Sequence, residues 1–187
     1  QGTDFAFAAI LIDGSVVTWG NLFFGGDSSA VQDHLKNVCQ IQATEQAFAA
    51  ILVDGSVVTW GGRFHGGDSS QVRDKLRNVQ KIHATDEAFA AILADGSVVT
   101  WGRPHAGGDS SKVQDQLQRV QHIYGTGSAF AAVVADGSVV TWGNATSGGD
   151  SSQVQDQLRS VQQIQATNDA FFAILADGSV VTWGYHW

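Results

Sequence analysis

The chain has no methionine, one cysteine (Cys39) and one proline (Pro104) among its 187 residues. A lone thiol cannot close an internal disulfide. Cys39 also takes the repeat position held by Gln80, Gln121 and Gln162, so it reads as a passive residue. The lack of methionine, even at position 1, points to a processed chain or a portion of a longer one. An organellar or secreted origin fits this, and no single compartment is fixed. Long apolar runs are missing too. Asp, Gly, Ser or Thr interrupts every one before the ~18–20 residues of a membrane helix, so no direct membrane span is expected. Basic residues are few, 10 against 18 acidic, for a net charge of −8. That balance argues against nucleic acid as a partner, because binding a phosphate backbone draws on clustered Lys and Arg. Five of the ten basic residues do gather in one stretch: Arg63, Arg73, Lys75, Arg77 and Lys81.

What the chain has is self-similarity. Trp19, Trp60, Trp101, Trp142 and Trp183 recur every 41 residues without an insertion, each within an unchanged Asp-Gly-Ser-Val-Val-Thr-Trp-Gly. A fixed period of this length is the signature of a repeat architecture. Most of the acidic residues belong to that period, including Asp13, Asp54, Asp95, Asp136 and Asp177 at one turn position.

Each unit reads as three strands and a short helix. Val79 to Thr85 forms a first strand, and Ala88 to Leu93, apolar on both faces, suits a strand packed between neighbouring sheets. Asp95-Gly96 supplies a two-residue hairpin turn in which both residues need positive φ. Ser97 to Trp101 is β-branched and aromatic, as strands prefer. Gly107 to Ser111 then opens a helix with a capping box in Ser111 and Gln114. Val113, Leu117 and Val120 fall along its apolar stripe. The chain is therefore one repeat domain over 1–187, with hairpin units near 5–20, 46–61, 87–102, 128–143 and 169–184. Helix linkers lie near 28–37, 69–78, 110–119 and 151–160. Hairpins this small are marginal alone and must stack. The expected fold is mostly β, a tandem-repeat β-propeller-like ring of five short blades. The alternative is an open β/α solenoid.

The frame Val79, Ile82, Ala84, then Asp95 to Gly102, then Gly107, resembles the repeat of the regulator-of-chromosome-condensation family throughout the chain. The resemblance implies a β-propeller whose blades are the repeats. The family usually has longer repeats and seven blades. It also tends to place His where Ala47, Ala88 and Ala129 stand here, and a Gly-Gln-Leu-Gly stretch where this chain has Gly-Gly-Asp-Ser-Ser. Its namesake promotes nucleotide exchange on a small GTPase and binds chromatin. Guanine-nucleotide exchange is thus the weakest of three functional expectations, since no inserted wedge or basic tail accompanies the repeats.

No catalytic constellation is expected, because the Ser and Asp residues recur in every unit whereas an active site is one asymmetric arrangement. The chain therefore reads as not an enzyme. Neither a cofactor nor a metal is expected: the six histidines lack zinc spacing, and no phosphate-loop motif is present. The five repeat tryptophans read as structural core between blades. The units differ in the four residues after Trp-Gly and in the pair before each apolar strand. A fixed frame that displays variable loops builds asymmetric binding surfaces. Phe23, Phe24, Arg63, Phe64, Arg103 and His105 are the candidate partner-binding residues, being of the types that anchor interfaces. The expected function is a protein-interaction scaffold, an accessory subunit of a larger assembly, with a protein partner. The alternative is a multivalent carbohydrate-binding lectin with near-equivalent sites. Asn144-Ala145-Thr146 is a glycosylation sequon that would matter in a secretory setting.

Overall fold

The computed structural model describes residues 1–185. His186, one of the six histidines considered as metal ligands, lies outside the described residues. Blade 1 pairs β1 (Ala6–Ile10) with β2 (Val16–Gly20), and an isolated bridge joins Gly2 to Phe7. Blade 2 orders β3 (Val38–Ala43), β4 (Ala47–Leu52) and β5 (Val57–Gly61) in one antiparallel sheet. Blade 3 repeats this with β6 (Val79–Ala84), β7 (Ala88–Leu93) and β8 (Val98–Gly102), and blade 4 with β9 (Val120–Gly125), β10 (Ala129–Val134) and β11 (Val139–Gly143). Blade 5 holds β12 (Val161–Ala166), β13 (Ala170–Leu175) and β14 (Val180–Gly184).

The central strand of each blade is apolar on both faces because both faces are covered. In β4, Ala47, Ala49 and Ile51 share a core with blade 3, whereas Phe48 and Ala50 share one with blade 1. We call these the front and back of the blade. The back carries a stacked pair, Phe89 on Trp101 in blade 3 with ring centroids 5.2 Å apart. The linker supplies the seal. Leu35, Leu76, Leu117 and Leu158 are buried in the four junctions. Gly66 adopts φ +96, and a Cβ there would lie 2.5 Å from the Phe89 ring. Its carbonyl accepts the Trp101 indole N–H at 3.0 Å. The first glycine of the pair is therefore fixed by the close approach of backbone to an aromatic pair, and the second by backbone, since a Cβ at Gly67 would lie 2.4 Å from the Gly61 carbonyl oxygen.

Two local expectations change. First, only the glycine of each Asp-Gly turn has positive φ. Gly96 N–H donates to Leu93 and Leu93 N–H to Ser97, making a three-residue loop that ends in a left-handed glycine. The Asp95 carboxylate instead accepts the Ser97 N–H and hydroxyl at 2.9 and 2.6 Å. Second, the linker helices are short 3-10 turns such as Gln114–Gln116. No serine caps the turn, whose N-cap position is Val113: the Ser110 hydroxyl instead donates to Gln114 Oε1 at 2.9 Å, while Gln114 Nε2 donates to the Val98 carbonyl at 2.9 Å. The Gln side chain is drawn to the open strand edge rather than back along a helix, which covers a carbonyl of that edge. In the second linker Arg73 replaces this Gln, and no such bond forms. Cys39 sits at a register shift between β3 and β4, an exposed bulge position, which explains why it interchanges with Gln as its repeat position implied.

The five sheets do not close into a ring. Phe7 and Trp19 on the back of blade 1 are each 51% exposed, against 0% for Phe89 and 4% for Trp101. On the front of blade 5, Val180 is exposed whereas Val98 and Val139 are buried. Among the described residues, no buried leucine and no Gly-Gly pair lies between blade 5 and blade 1. The arrangement is an arc of propeller blades.

Candidate functional site

Each variable window after Trp-Gly folds as one 3-10 turn: Leu22–Phe24, Arg63–His65, Pro104–Ala106 and Ala145–Ser147. A left-handed glycine ends each turn, at Gly25, Gly66, Gly107 and Gly148. The first residue of each window is tied down by its backbone. Asn21, Gly62, Arg103 and Asn144 donate their N–H to Phe5, Gln46, Glu87 and Ser128. These acceptors belong to the second variable pair, so the two variable regions of each unit lie side by side on one rim. The last residue is also held. Hydroxyls of Thr3, Thr44, Thr85 and Thr126 donate to the carbonyls of Phe24, His65, Ala106 and Ser147 at 3.2, 3.0, 2.9 and 3.0 Å. The middle two residues are left to face outward.

The six candidate residues divide accordingly. Phe23 (81% exposed) and Phe64 (77% exposed) project from adjacent turns, and His105 is exposed on the third. Phe24 does not project. It is half-buried against Phe5, ring centroids 5.2 Å apart, because it occupies the last position of its window. Arg103 occupies a first position, and its guanidinium pairs with Glu87. Glu87 also meets His65 Nε2 at 3.2 Å, so it bridges the turns of blades 2 and 3. Arg63 is exposed and pairs with Asp68 at 3.1 Å. Arg63, Phe64, Arg103 and His105 come together along one open groove of about 1140 Å³, with Lys75 and Asp109 on its walls. Phe23 and Phe24 lie one turn away, outside this groove.

Glu87 and Leu22, which is 65% exposed, were not among the sequence candidates. Glu87 could have been found from its place in the second variable pair beside two opposite charges. Leu22 is marked only by its middle position in the window, which becomes informative once the turn geometry is known. The tryptophans of blades 2 to 5 are buried, with their indole N–H groups bonded to glycine carbonyls. Trp19 departs from the core role expected of it, since no preceding linker covers it.

A second concavity, about 450 Å³, is lined by equivalent residues of all five copies, among them Asp4, Glu45, Asp86, Gly127 and Asn168. Burial, and then the neighbouring Asp86, Asp4 and Glu87, raise the Glu45 carboxyl above its usual range. Burial, and then Glu87, Asp4 and Asp169, do the same to Asp86. Among the described residues, no group of three His, Cys, Asp or Glu side chains could hold a metal ion.

No family model matches the sequence, and no curated protein matches it. Solved structures share the fold. Yeast RCC1 (Prp20) in its complex with Kap60 superposes with a TM-score of 0.62 at 16% identity, over 97% of this chain and 54% of that one. The CRINKLY WD40 ectodomain of the Arabidopsis thaliana receptor kinase ACR4 gives 0.58 at 17%, over 98% and 61%. Human WBSCR16 gives 0.57 at 16%, over 96% and 59%. The chain thus spans little more than half the length of these three structures. The fold is an RCC1-like arrangement of propeller blades.

Proposed function

We propose that this chain is a non-enzymatic protein-interaction scaffold, an accessory subunit whose partner docks on the rim formed by the post-Trp turns of blades 1 to 3. The observation that carries this reading is the immobilised display. Backbone and threonine hydrogen bonds fix both ends of each turn while Phe23 and Phe64 stand more than three-quarters exposed. A rigid frame presenting large apolar side chains needs little ordering on association, which favours affinity. The charged groove beside them supplies a polar margin of the kind that surrounds interface anchors. The class of partner is supported by fold neighbours. Yeast RCC1 was solved bound to Kap60, and Prp20p was characterised for binding to Gsp1p and histones. The buried tryptophans of blades 2 to 5 offer a sugar no indole face, which was the basis of the lectin reading, so the protein reading ranks above it.

Affinity capture from native extract tests this, with the intact chain beside a Phe23→Ser/Phe64→Ser variant. Both residues are exposed, so the variant should keep the far-UV circular dichroism of the intact chain. A stoichiometric protein recovered by the intact chain and lost by the variant is the expected outcome. Equal recovery by both would move the interface off this rim.

A further inference from the structure

We infer that the chain associates head to tail with a second copy of itself, the front of blade 5 seating on the back of blade 1. This stands apart from the rim reading and uses different surfaces. The interface it calls for already occurs four times within the chain. At the first junction, Ala6, Ala8 and Val16 on the front of blade 1 share a core with Phe48, Ala50 and Trp60 on the back of blade 2. The same positions meet at each later junction. The two end faces left over are therefore the two halves of one interface. The back of blade 1 offers Phe7, Val17 and Trp19, 51%, 42% and 51% exposed. The front of blade 5 offers Val180, 57% exposed, with Phe172 and Ile174 half-buried beside it. An apolar face of this kind, matched by its own complement elsewhere on the molecule, makes a heterologous contact.

The backbone carries the same polarity. Along the inner concavity, Asp4 N–H donates to the Glu45 carbonyl at 3.0 Å, Glu45 to Asp86 at 2.9 Å, Asp86 to Gly127 at 3.0 Å and Gly127 to Asn168 at 2.8 Å. Every copy donates to the next. The series leaves a donor at Asn168 and an acceptor at Asp4, the pair that a blade 5 to blade 1 junction would join. Blade 5 also has Phe172 where blades 1 to 4 have Ala8, Ala49, Ala90 and Ala131. The one front face with no neighbour within the chain is thus the one with added apolar surface. Blade 1 lacks most of the inner strand that gives Val38 and Ile41 to blade 2, and Trp19 would find no linker carbonyl. The junction between copies should consequently be weaker than any internal one, and reversible.

Sedimentation velocity on the 187-residue chain over a wide concentration range tests this directly. The weight-average mass should climb above the 19.8 kDa of one chain as concentration rises. Trp19→Asp and Val180→Asp, both at exposed positions, should each remain monomeric with unchanged circular dichroism. Mixed in equal amounts they should form a dimer and nothing larger, because the first keeps an intact front and the second an intact back. A wild-type chain that stays at one-chain mass at every concentration would overturn the inference, whether its ends stay open or close on each other. So would single variants that still associate, or folded variants that do not pair on mixing.

Discussion

Blades 1 and 3 contain the same octapeptide, yet Trp19 lies half in solvent while Trp101 is 4% exposed. The rings even keep the same partner: Phe7 stacks on Trp19 at 5.6 Å and Phe89 on Trp101 at 5.2 Å. What differs is the neighbour. Blade 3 is covered by the front of blade 2 and by a linker that brings in Leu76 and Gly66, and blade 1 is not. A blade in this architecture is formed by its own hydrogen bonds and stabilised by the adjacent blade, as expected of a quasi-one-dimensional array.

The strongest way to expose that difference is to truncate the same residue in both places. Trp101→Ala should lower stability in urea unfolding by about 3–5 kcal/mol, the usual cost of removing a buried Trp. Trp19→Ala should cost less than about 1 kcal/mol, as at other exposed sites. Equal losses would mean that the back of blade 1 is covered in solution.

Titration gives the next largest contrast. Burial, and then Lys81 and His122, push the His83 imidazole from 6.5 down to about 4. Its Nε2 is buried without a hydrogen-bond partner. The unfolded chain therefore binds this proton more readily than the folded one. Stability from neutral His83 is fully present above pH 6.5 and is lost as the pH falls toward 4, by up to roughly 3 kcal/mol. His83→Gln, which restores the residue found at Gln42 and Gln165, should flatten that slope. Introducing histidine at the exposed Gln165 of blade 5 should add little slope in the same window. Urea midpoints between pH 7 and pH 4 would decide both.

A smaller gap should separate the threonines. Thr85→Val leaves the Ala106 carbonyl and the Ala88 N–H unpaired in the interior, at about 1–3 kcal/mol. Thr167→Val in blade 5, where the hydroxyl is exposed, should cost less than about 1 kcal/mol. The smallest effect has the opposite sign. Arg119 holds φ +53 where the two earlier junctions place Asn37 and Asn78. Arg119→Asn should raise stability in urea unfolding by up to about 1 kcal/mol, since Asn tolerates the left-handed region better.

Period, strand positions and doubly apolar central strands were legible because they follow from spacing and side-chain type alone. The turn type was not. Asp-Gly is compatible with two loops, and the choice was made by the Asp95 carboxylate capping Ser97, a contact between side chain and backbone that the pattern does not encode. Val113, Leu117 and Val120 have helical spacing, yet the short linker helix is a 3-10 turn that ends before Val120. Val120 begins β9, and Gln114 is taken by the Val98 carbonyl. Four of the six candidate residues do converge on one groove, since equal spacing brings equivalent turns to one rim. Phe24 turns inward onto Phe5, which identity within the window does not reveal. Closure was illegible for another reason: it depends on residues that a seam would need rather than on those present.

The hydrogen bonds that fix both ends of each post-Trp turn have an evolutionary consequence. They engage backbone atoms of the window and a threonine of the constant frame, so they survive when side chains at the outward positions change. Residues 22 and 23, 63 and 64, 104 and 105, and 145 and 146 form an alphabet that mutates without redrafting the grammar around it. Duplication of a 41-residue unit then copies a ready-made display slot, and divergence can rewrite its two letters while the scaffold that reads them out is preserved.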